Sequence, residues 1–375
     1  MRYRRFGRTN WQFSLFSLGT MRCLSSESVF AATLDRALEL GINHLETARG
    51  YGNSEVFLGR YLQRQGVRER VYLTTKLVPT PDRQTMEKAI AESLERLQLN
   101  YLDCLAIHGI NTREHLNWIK DPQGCMKAVF MAQEAGKIGH IGFSTHAPLE
   151  IILETIDTDF FAFVNIHYYF FWQRQQPAIA LARAKDMGVF IISPADKGGS
   201  LHRPPKKLEE LCAPFSPLEL NYRFLLSDPR ITTLSVGAAI PEELEAIINV
   251  SERDQPLDAA EIAVFKRLEA HLTDKLATDL CSQCYQCLPC PENINIPEVL
   301  RLRNLAVAYE MTDFGQYRYR MLENAGHWFP GRKANNCTEC GDCLPRCPEK
   351  LPIPQLLFNT HELLNGPPQR RLWSS

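Results

Sequence analysis

Eight short apolar runs alternate with stretches of helical spacing, and this alternation limits the possible folds more than any other feature of the chain. The runs lie at residues 13–18, 42–45, 71–75, 102–107, 138–143, 161–166, 189–192 and 232–236. Strands that alternate with helices pair in parallel, because each connection has to pass over the sheet. A repeat of about 30 residues in a body of about 250 predicts an α/β fold of the closed (β/α)8 type, a TIM barrel.

A doubly wound open sheet is the competing α/β architecture. Such sheets usually carry a glycine-rich nucleotide turn after the first strand. The corresponding turn here runs from Leu18 to Cys23 and lacks that fingerprint, so the barrel is favoured. Two short β-like pieces around Gly7 predict an N-terminal hairpin, and a last helix at 260–272 closes a barrel domain that we place at 1–272.

Cysteines are concentrated near the C-terminus. Eight of the twelve lie in two runs, each followed by proline: Cys281, Cys284, Cys287 and Cys290, then Cys337, Cys340, Cys343 and Cys347. The second run has the spacing of bacterial ferredoxins, and the first is one residue shorter. This spacing predicts a C-terminal domain at 273–375 that binds two 4Fe-4S clusters, with a helical spacer at 296–325 between the runs.

In ferredoxins of this type the fourth cysteine of each run ligates the other cluster. One predicted ligand set is therefore Cys281, Cys284, Cys287 and Cys347, and the other is Cys290, Cys337, Cys340 and Cys343. Zinc is the alternative, but zinc ribbons use two pairs of ligands rather than triplets followed by Cys-Pro. The four remaining cysteines follow no such spacing, and core packing is their expected role.

Composition and charge exclude several function classes. The 375 residues are 45% hydrophobic and 23% charged, with a formal net charge of −1. Such a chain has no overall field that would attract nucleic acid. No apolar run is long enough to span a membrane, and no secretory signal is evident, so we expect a cytoplasmic protein. The alternating Tyr317–Arg320 segment is expected to be a solvated helix rather than a nucleic-acid face.

Four polar residues follow three consecutive predicted strands at the barrel end where chemistry is carried out. They are Glu46, Tyr51, Lys76 and His108. A buried lysine needs an acid beside it, and Glu46 lies one strand away. The ammonium of Lys76 would make the Tyr51 hydroxyl a better proton donor, and His108 could orient a carbonyl oxygen. Each residue alone is commonly structural, but together they predict a proton-delivery site for carbonyl chemistry.

These residues resemble the motifs of the aldo/keto reductases. The family's Asp-Thr-Ala-x-x-Tyr-Gly motif corresponds to Glu46-Thr-Ala-Arg-Gly-Tyr51-Gly, Lys76 ends Thr-Thr-Lys, and His108 ends Leu-Ala-Ile-His. The resemblance covers roughly residues 1–250. It implies that Tyr51, Lys76, His108 and Glu46 are catalytic, that the substrate is a small carbonyl compound, and that NADPH or NADH is the cofactor. The cofactor-binding residues that it implies are Gly19, Thr20, Ser144, Asn165, Ser193, Gly237 and Glu243.

The chain departs from the family pattern at three places. The motif acid is Glu46 rather than Asp, and Asn165 stands where many members have Gln. In the loop after the eighth strand, Ala239 and Ile240 replace the Ser and Lys or Arg that commonly hold the 2′-phosphate of NADPH. The cysteine-rich tail is similar to the branch of the family that carries a ferredoxin-like domain, here of the α-helical kind.

The sequence therefore predicts an oxidoreductase with an electron-transfer tail. Nicotinamide passes two electrons as hydride, whereas a cluster passes one at a time, and a flavin would normally connect the two. The sequence shows no flavin site. An electron-transfer protein is the expected partner of the clusters. The alternative is a non-catalytic redox sensor or electron-transfer protein on a reductase scaffold.

Overall fold

The computed structural model describes residues 1–368, which form two compact units. The barrel unit comprises Met1–Gly198 and Asn221–Pro256. The C-terminal unit comprises Gly199–Leu220 and the chain from Leu257 onwards. The boundary expected at residue 272 lies within a single helix, Ala259–Leu276.

Ten strands are present in the described residues. β1 and β2 form a hairpin, and β3 to β10 form the barrel. Their bounds are β1 Tyr3–Arg5, β2 Gln12–Ser14, β3 Phe16–Gly19, β4 His44–Glu46, β5 Tyr72–Leu77, β6 Leu102–His108, β7 Ile138–Ser144, β8 Phe163–Ile166, β9 Gly188–Ile191 and β10 Thr233–Val236.

The eight barrel strands are parallel and lie in sequence order around a closed sheet. Leu234 of β10 pairs with Phe16 of β3, which closes the ring. Burial on both faces explains why the strands read as continuous apolar runs rather than alternating ones. The predicted (β/α)8 barrel is confirmed.

Thirteen α-helices are described. They are α1 Glu27–Glu39, α2 Ser54–Leu62, α3 Arg83–Leu97, α4 Arg113–Lys120, α5 Cys125–Glu134, α6 Leu149–Ile156, α7 Gln176–Ala184, α8 Lys206–Cys212, α9 Pro217–Leu226, α10 Ala259–Leu276, α11 Ile296–Tyr309, α12 Thr312–Tyr319 and α13 Ile353–Leu364. Several begin at a side-chain cap. Ser26, Asp82 and Thr112 accept backbone N–H groups at the starts of α1, α3 and α4.

The hairpin packs against aromatic and small residues of the barrel strands. Phe6 and Phe13 stack with ring centroids 4.2 Å apart, and both belong to a buried cluster with Phe163 and Phe190. A side-chain carbon added to Gly188 would lie 2.3 Å from the Phe6 ring, so this packing requires glycine. The hairpin predicted around Gly7 is confirmed by the antiparallel pairing of β1 with β2.

In the C-terminal unit, hydrogen bonds between aromatic side chains and neighbouring helices hold the elements together. Tyr309 donates to the Leu268 carbonyl at 2.9 Å, and the Tyr319 hydroxyl lies 2.7 Å from His361 Nδ1. The helix expected at 296–325 is interrupted, because Glu310 adopts a left-handed conformation that ends α11. Arg318 is buried over the Phe329 ring, so the segment expected to be a solvated helix is partly core.

No helix within residues 1–368 combines the length and the apolar character that crossing a lipid bilayer demands.

Candidate active site and cluster ligands

The end of three adjacent barrel strands brings the predicted catalytic residues together. Glu46 is the last residue of β4, Lys76 lies near the end of β5, and His108 is the last residue of β6. Tyr51 follows β4 in the turn that leads into α2. Because the strands are parallel neighbours, their carboxyl ends face one another at the same edge of the barrel.

Lys76 is the buried charge of this group, with only 2% of its side chain exposed. Its ammonium lies 2.6 Å from Glu46 Oε2 and 3.5 Å from the Tyr51 hydroxyl, and it donates to the Thr47 carbonyl at 2.9 Å. Burial opposes the charged form, but the carboxylate of Glu46 and the Tyr51 oxygen outweigh it and hold the pKa of Lys76 above its ordinary value. The lysine is therefore a cation at neutral pH.

The second oxygen of Glu46 is held from another strand. Ser235 on β10 donates its hydroxyl to Glu46 Oε1 at 3.1 Å. Gly19 on β3, which pairs with Glu46 across the sheet, leaves the space in which this contact forms. Both carboxylate oxygens thus have fixed partners, which defines the direction in which the acid points.

His108 and Tyr51 form the part of the group with aromatic rings. The two rings meet edge to face with centroids 5.8 Å apart, and the Lys76 ammonium lies 4.9 Å from the centre of the Tyr51 ring. A hydroxyl beside a fixed cation is stabilised when it gives up its proton. The arrangement can therefore deliver a proton to an oxygen bound near Tyr51.

His44, in the barrel interior near the ion pair, is an uncharged residue. His44 is hydrogen-bonded to Ser17 at 2.7 Å and to Thr74 at 2.8 Å. Burial, together with the nearby Lys76 charge, lowers the pKa of His44 to about 3. His44 is therefore neutral at physiological pH, and its two hydroxyl partners satisfy both ring nitrogens.

Asn165 and Ser144 lie side by side on β8 and β7. Asn165 is fully buried, yet neither its amide nitrogen nor its amide oxygen has a hydrogen-bond partner among residues 1–368. Ser144 is 3% exposed, and its hydroxyl oxygen accepts the Gly109 N–H at 3.2 Å. Leaving a buried amide unpaired is costly, so this pair has the polarity to bind another amide group.

Several of the other predicted cofactor-binding residues already have partners within the protein. The Thr20 hydroxyl is engaged within the protein by Ser54 and the Glu46 carbonyl, and Ser193 adopts a left-handed backbone conformation. Arg22 forms an ion pair with Glu243 at 2.8 Å and donates to the Gly237 carbonyl. This ion pair joins the loops that follow β3 and β10 at the carboxyl end of the barrel.

The eight cysteines of the C-terminal unit line two separate cavities. One cavity is lined by Cys281, Cys284, Cys287 and Cys347. The second cavity is lined by Cys290, Cys337, Cys340 and Cys343. Within residues 1–368, no three Cys, His, Asp or Glu side chains are grouped so that they could hold a single metal ion. Four thiols around each cavity are the donor set of a cubane cluster.

Comparison with known families follows the same division of the chain. A model of the aldo/keto reductase family matches residues 16–270, which is more than half of the sequence. The chain is a member of the aldo/keto reductase family. A model of the 4Fe-4S dicluster domain matches residues 280–351, so this reductase carries an iron–sulfur domain at its C-terminal side. It is accordingly an oxidoreductase.

Similar proteins cover mainly the barrel of the reductase. The uncharacterized oxidoreductase YqkF of Bacillus subtilis is 24% identical over 288 residues, which are 67% of this chain and 91% of that protein. Protein tas of Escherichia coli is 28% identical over 181 residues, and the chain spans only 47% of its length. The solved holo form of the aldo-keto reductase AKR11C1 from Bacillus halodurans shares the fold, with a TM-score of 0.61 and 24% identity, over 71% of this chain and 96% of that one.

Two features of the reductase site were not singled out from its sequence. Ser235 lies within an apolar run, and its contact with Glu46 becomes evident only when β10 closes the barrel against β3. His146 and His167, after β7 and β8, lie with Nε2 atoms 3.3 Å apart, and His167 Nδ1 contacts Tyr169 at 2.5 Å. The signal for this group is a histidine two residues beyond Ser144, the last residue of β7, and another two residues beyond Asn165, the penultimate residue of β8.

Proposed function

We propose that this reductase interconverts a small carbonyl compound and its alcohol with a nicotinamide cofactor, at a site formed by Tyr51, Lys76, His108 and Glu46. The observation that carries this proposal is the Lys76 ammonium, fixed 2.6 Å from Glu46 and 3.5 Å from the Tyr51 hydroxyl. A tyrosine placed beside a fixed, buried cation has the character that a general acid requires. The substrate class is a carbonyl because the chemistry needs an oxygen that takes up a proton.

In this proposal each residue has a distinct role. Tyr51 donates its proton to the carbonyl oxygen as the carbonyl is reduced, and accepts it in the reverse direction. Lys76 stabilises the negative charge that then develops on the Tyr51 oxygen. Glu46 keeps Lys76 charged and directed, and His108, whose ring meets that of Tyr51, orients the carbonyl oxygen.

The residues present fit a nicotinamide. When bound, the reduced nicotinamide supplies the hydride. The unpaired Asn165 amide beside Ser144 can exchange hydrogen bonds with the carboxamide of the cofactor, which would satisfy both of its buried polar atoms. Gly19, Thr20, Ser193, Gly237 and Glu243 remain proposed cofactor-binding residues.

We further propose that the two cysteine-lined cavities each hold one 4Fe-4S cluster, with 1–272 and 273–375 as the functional domains. A reducing compartment keeps cysteine thiols free of disulfides, and a cytoplasmic location is part of this proposal. One cysteine of each set, Cys284 and Cys340, is exposed. An exposed ligand gives each cluster an edge at which a one-electron carrier protein, the proposed partner, could exchange electrons.

The catalytic proposal is tested with Tyr51→Phe, which removes the proton donor while retaining the ring. Carbonyl turnover with a panel of aldehydes should fall at least a hundredfold. Nucleotide affinity, measured by protein fluorescence, should change less than about twofold, because the ring surface is retained. Undiminished turnover would assign the proton to another group, and nucleotide binding without turnover in the parent protein would favour the sensor alternative.

The cluster proposal is tested by metal analysis of protein purified without oxygen. Two filled cavities require about eight irons per chain and a brown protein. Four irons per chain would show that only one cavity holds a cluster. Zinc without iron, in protein produced where clusters are assembled, would contradict the proposal.

A further inference from the structure

We propose that Ser235 and Gly19 are positioning residues that adapt this site to a glutamate, so that Glu46 is the acid around which the barrel is built. The inference rests on the proposed function, because it concerns how Lys76 is aimed at Tyr51. Neither residue touches the reacting atoms; both act through the Glu46 carboxylate.

The Glu46 carboxylate is contacted from one strand on each side of β4. The Lys76 ammonium on β5 lies 2.6 Å from Oε2, and the Ser235 hydroxyl on β10 donates to Oε1 at 3.1 Å. All three side chains are buried, with Lys76 2% and Ser235 7% exposed. In such surroundings solvent does not compete for the carboxylate, so these two contacts determine its orientation.

Gly19 makes the Ser235 contact sterically allowed. β3 lies between β4 and β10, so the hydrogen bond from Ser235 to Glu46 passes over β3 at Gly19. A side-chain carbon on Gly19 would lie 2.9 Å from Ser235 Oγ and 3.3 Å from Glu46 Oε1. Any larger residue would occupy the space in which the hydroxyl and the carboxylate meet.

The two contacts depend on the length of the acidic side chain. An aspartate is shorter by one methylene, about 1.5 Å of chain. Starting from β4, it could reach Lys76 or Ser235 but could not keep both contacts at hydrogen-bond distance. A hydroxyl at 235 above a glycine at 19 is therefore useful to a glutamate and of little use to an aspartate.

A double-mutant cycle tests this dependence, using Ser235→Ala, Glu46→Asp and the combined variant. Ser235→Ala should lower kcat about tenfold in the parent, the size of one hydrogen bond to a charged group, and less than about twofold in the Glu46→Asp background. KM should stay within about twofold in both backgrounds. Ser235→Thr, which keeps the hydroxyl, should recover most of the lost rate.

A matched control is Ser93→Ala. Ser93 is also buried, but its hydroxyl has no hydrogen-bond partner in the described part of the chain. Its removal should have the same small effect in both backgrounds. Equal losses from Ser235→Ala in the two backgrounds would show that Ser235 merely fills space and would overturn the proposal. A Glu46→Asp variant faster than the parent would overturn it as well.

A second readout separates this inference from the proposed function. The thermal midpoint of the same proteins should fall by about 2–4 °C for Ser235→Ala in the parent and by less than about 1 °C in the Glu46→Asp background. If the parent turns over no carbonyl, the proposed function fails, and the thermal cycle still tests the contact. Additive shifts in the thermal midpoint would refute the positioning role.

Discussion

Replacing Glu46 with glutamine should strongly destabilise the barrel, because it leaves the Lys76 ammonium buried without a counter-charge. The side chains are nearly isosteric, so the change removes charge and little volume. Breaking one partner of a buried ion pair typically costs about 3–5 kcal/mol. Lys76 and Glu46 are 2% and 6% exposed, which places the pair in this class. We expect a loss of that size in the free energy of unfolding at pH 7.

The same reasoning predicts the direction in which the stability of the variant changes with pH. In the parent the pKa of Lys76 is raised in the folded state. The stability that Lys76 contributes is therefore complete below the pKa of an unfolded lysine, and it is lost only as pH rises through the higher pKa of the folded state. In Glu46→Gln the main raising partner is gone, and burial lowers the pKa of Lys76. The unfolded state then binds more protons, and stability should increase with pH, by up to about 1.4 kcal/mol per pH unit.

The assay is urea unfolding of oxygen-free protein, followed by far-ultraviolet circular dichroism at pH 7, 8 and 9. The control is Glu27→Gln, which breaks an ion pair between exposed side chains: Arg60 is 54% exposed and Glu27 is 47% exposed. Loss of this pair should cost at most about 1 kcal/mol of the free energy of unfolding. The reasoning fails if Glu46→Gln is no less stable than this control. It also fails if the variant loses stability as pH rises from 7 to 9.

Three further predictions concern the cofactor and the clusters. Asn165→Ala should weaken nucleotide binding about tenfold by fluorescence titration without lowering the thermal midpoint, since the amide has no partner in residues 1–368 to lose; unchanged affinity would remove it from the cofactor site. Ile240→Arg should raise the affinity for NADPH relative to NADH about tenfold. Ile240 is 43% exposed and, by the family resemblance, stands where a Lys or Arg commonly holds the 2′-phosphate, which a guanidinium can bind. An unchanged affinity ratio would place the phosphate elsewhere. Cys340→Ser should lose about half of the iron while Cys125→Ser keeps all of it; equal iron in both variants would contradict the proposed ligand set.

The parts of the fold that depend on local pattern could be predicted from the sequence. Alternating apolar runs and helical spacing predict the barrel, and the positions of Glu46 and Lys76 near the carboxyl ends of neighbouring strands predict that the two side chains meet. The contact of Ser235 with Glu46 could not be predicted, since it spans 189 residues and exists only when the ring of strands closes. The break at Glu310 and the grouping of Gly199–Leu220 with the C-terminal helices depend on tertiary packing, which outweighs local helical propensity.

Each of the two cavities is lined by three cysteines of one run and one cysteine of the other run, which affects how the two runs are held together. Cys290 belongs to the first run in sequence but lines the cavity of the second, and Cys347 does the reverse. With both proposed clusters in place, each one would connect the two cysteine runs through iron. Either cluster alone would still bind cysteines of both runs, so the two segments could separate only after both clusters are lost.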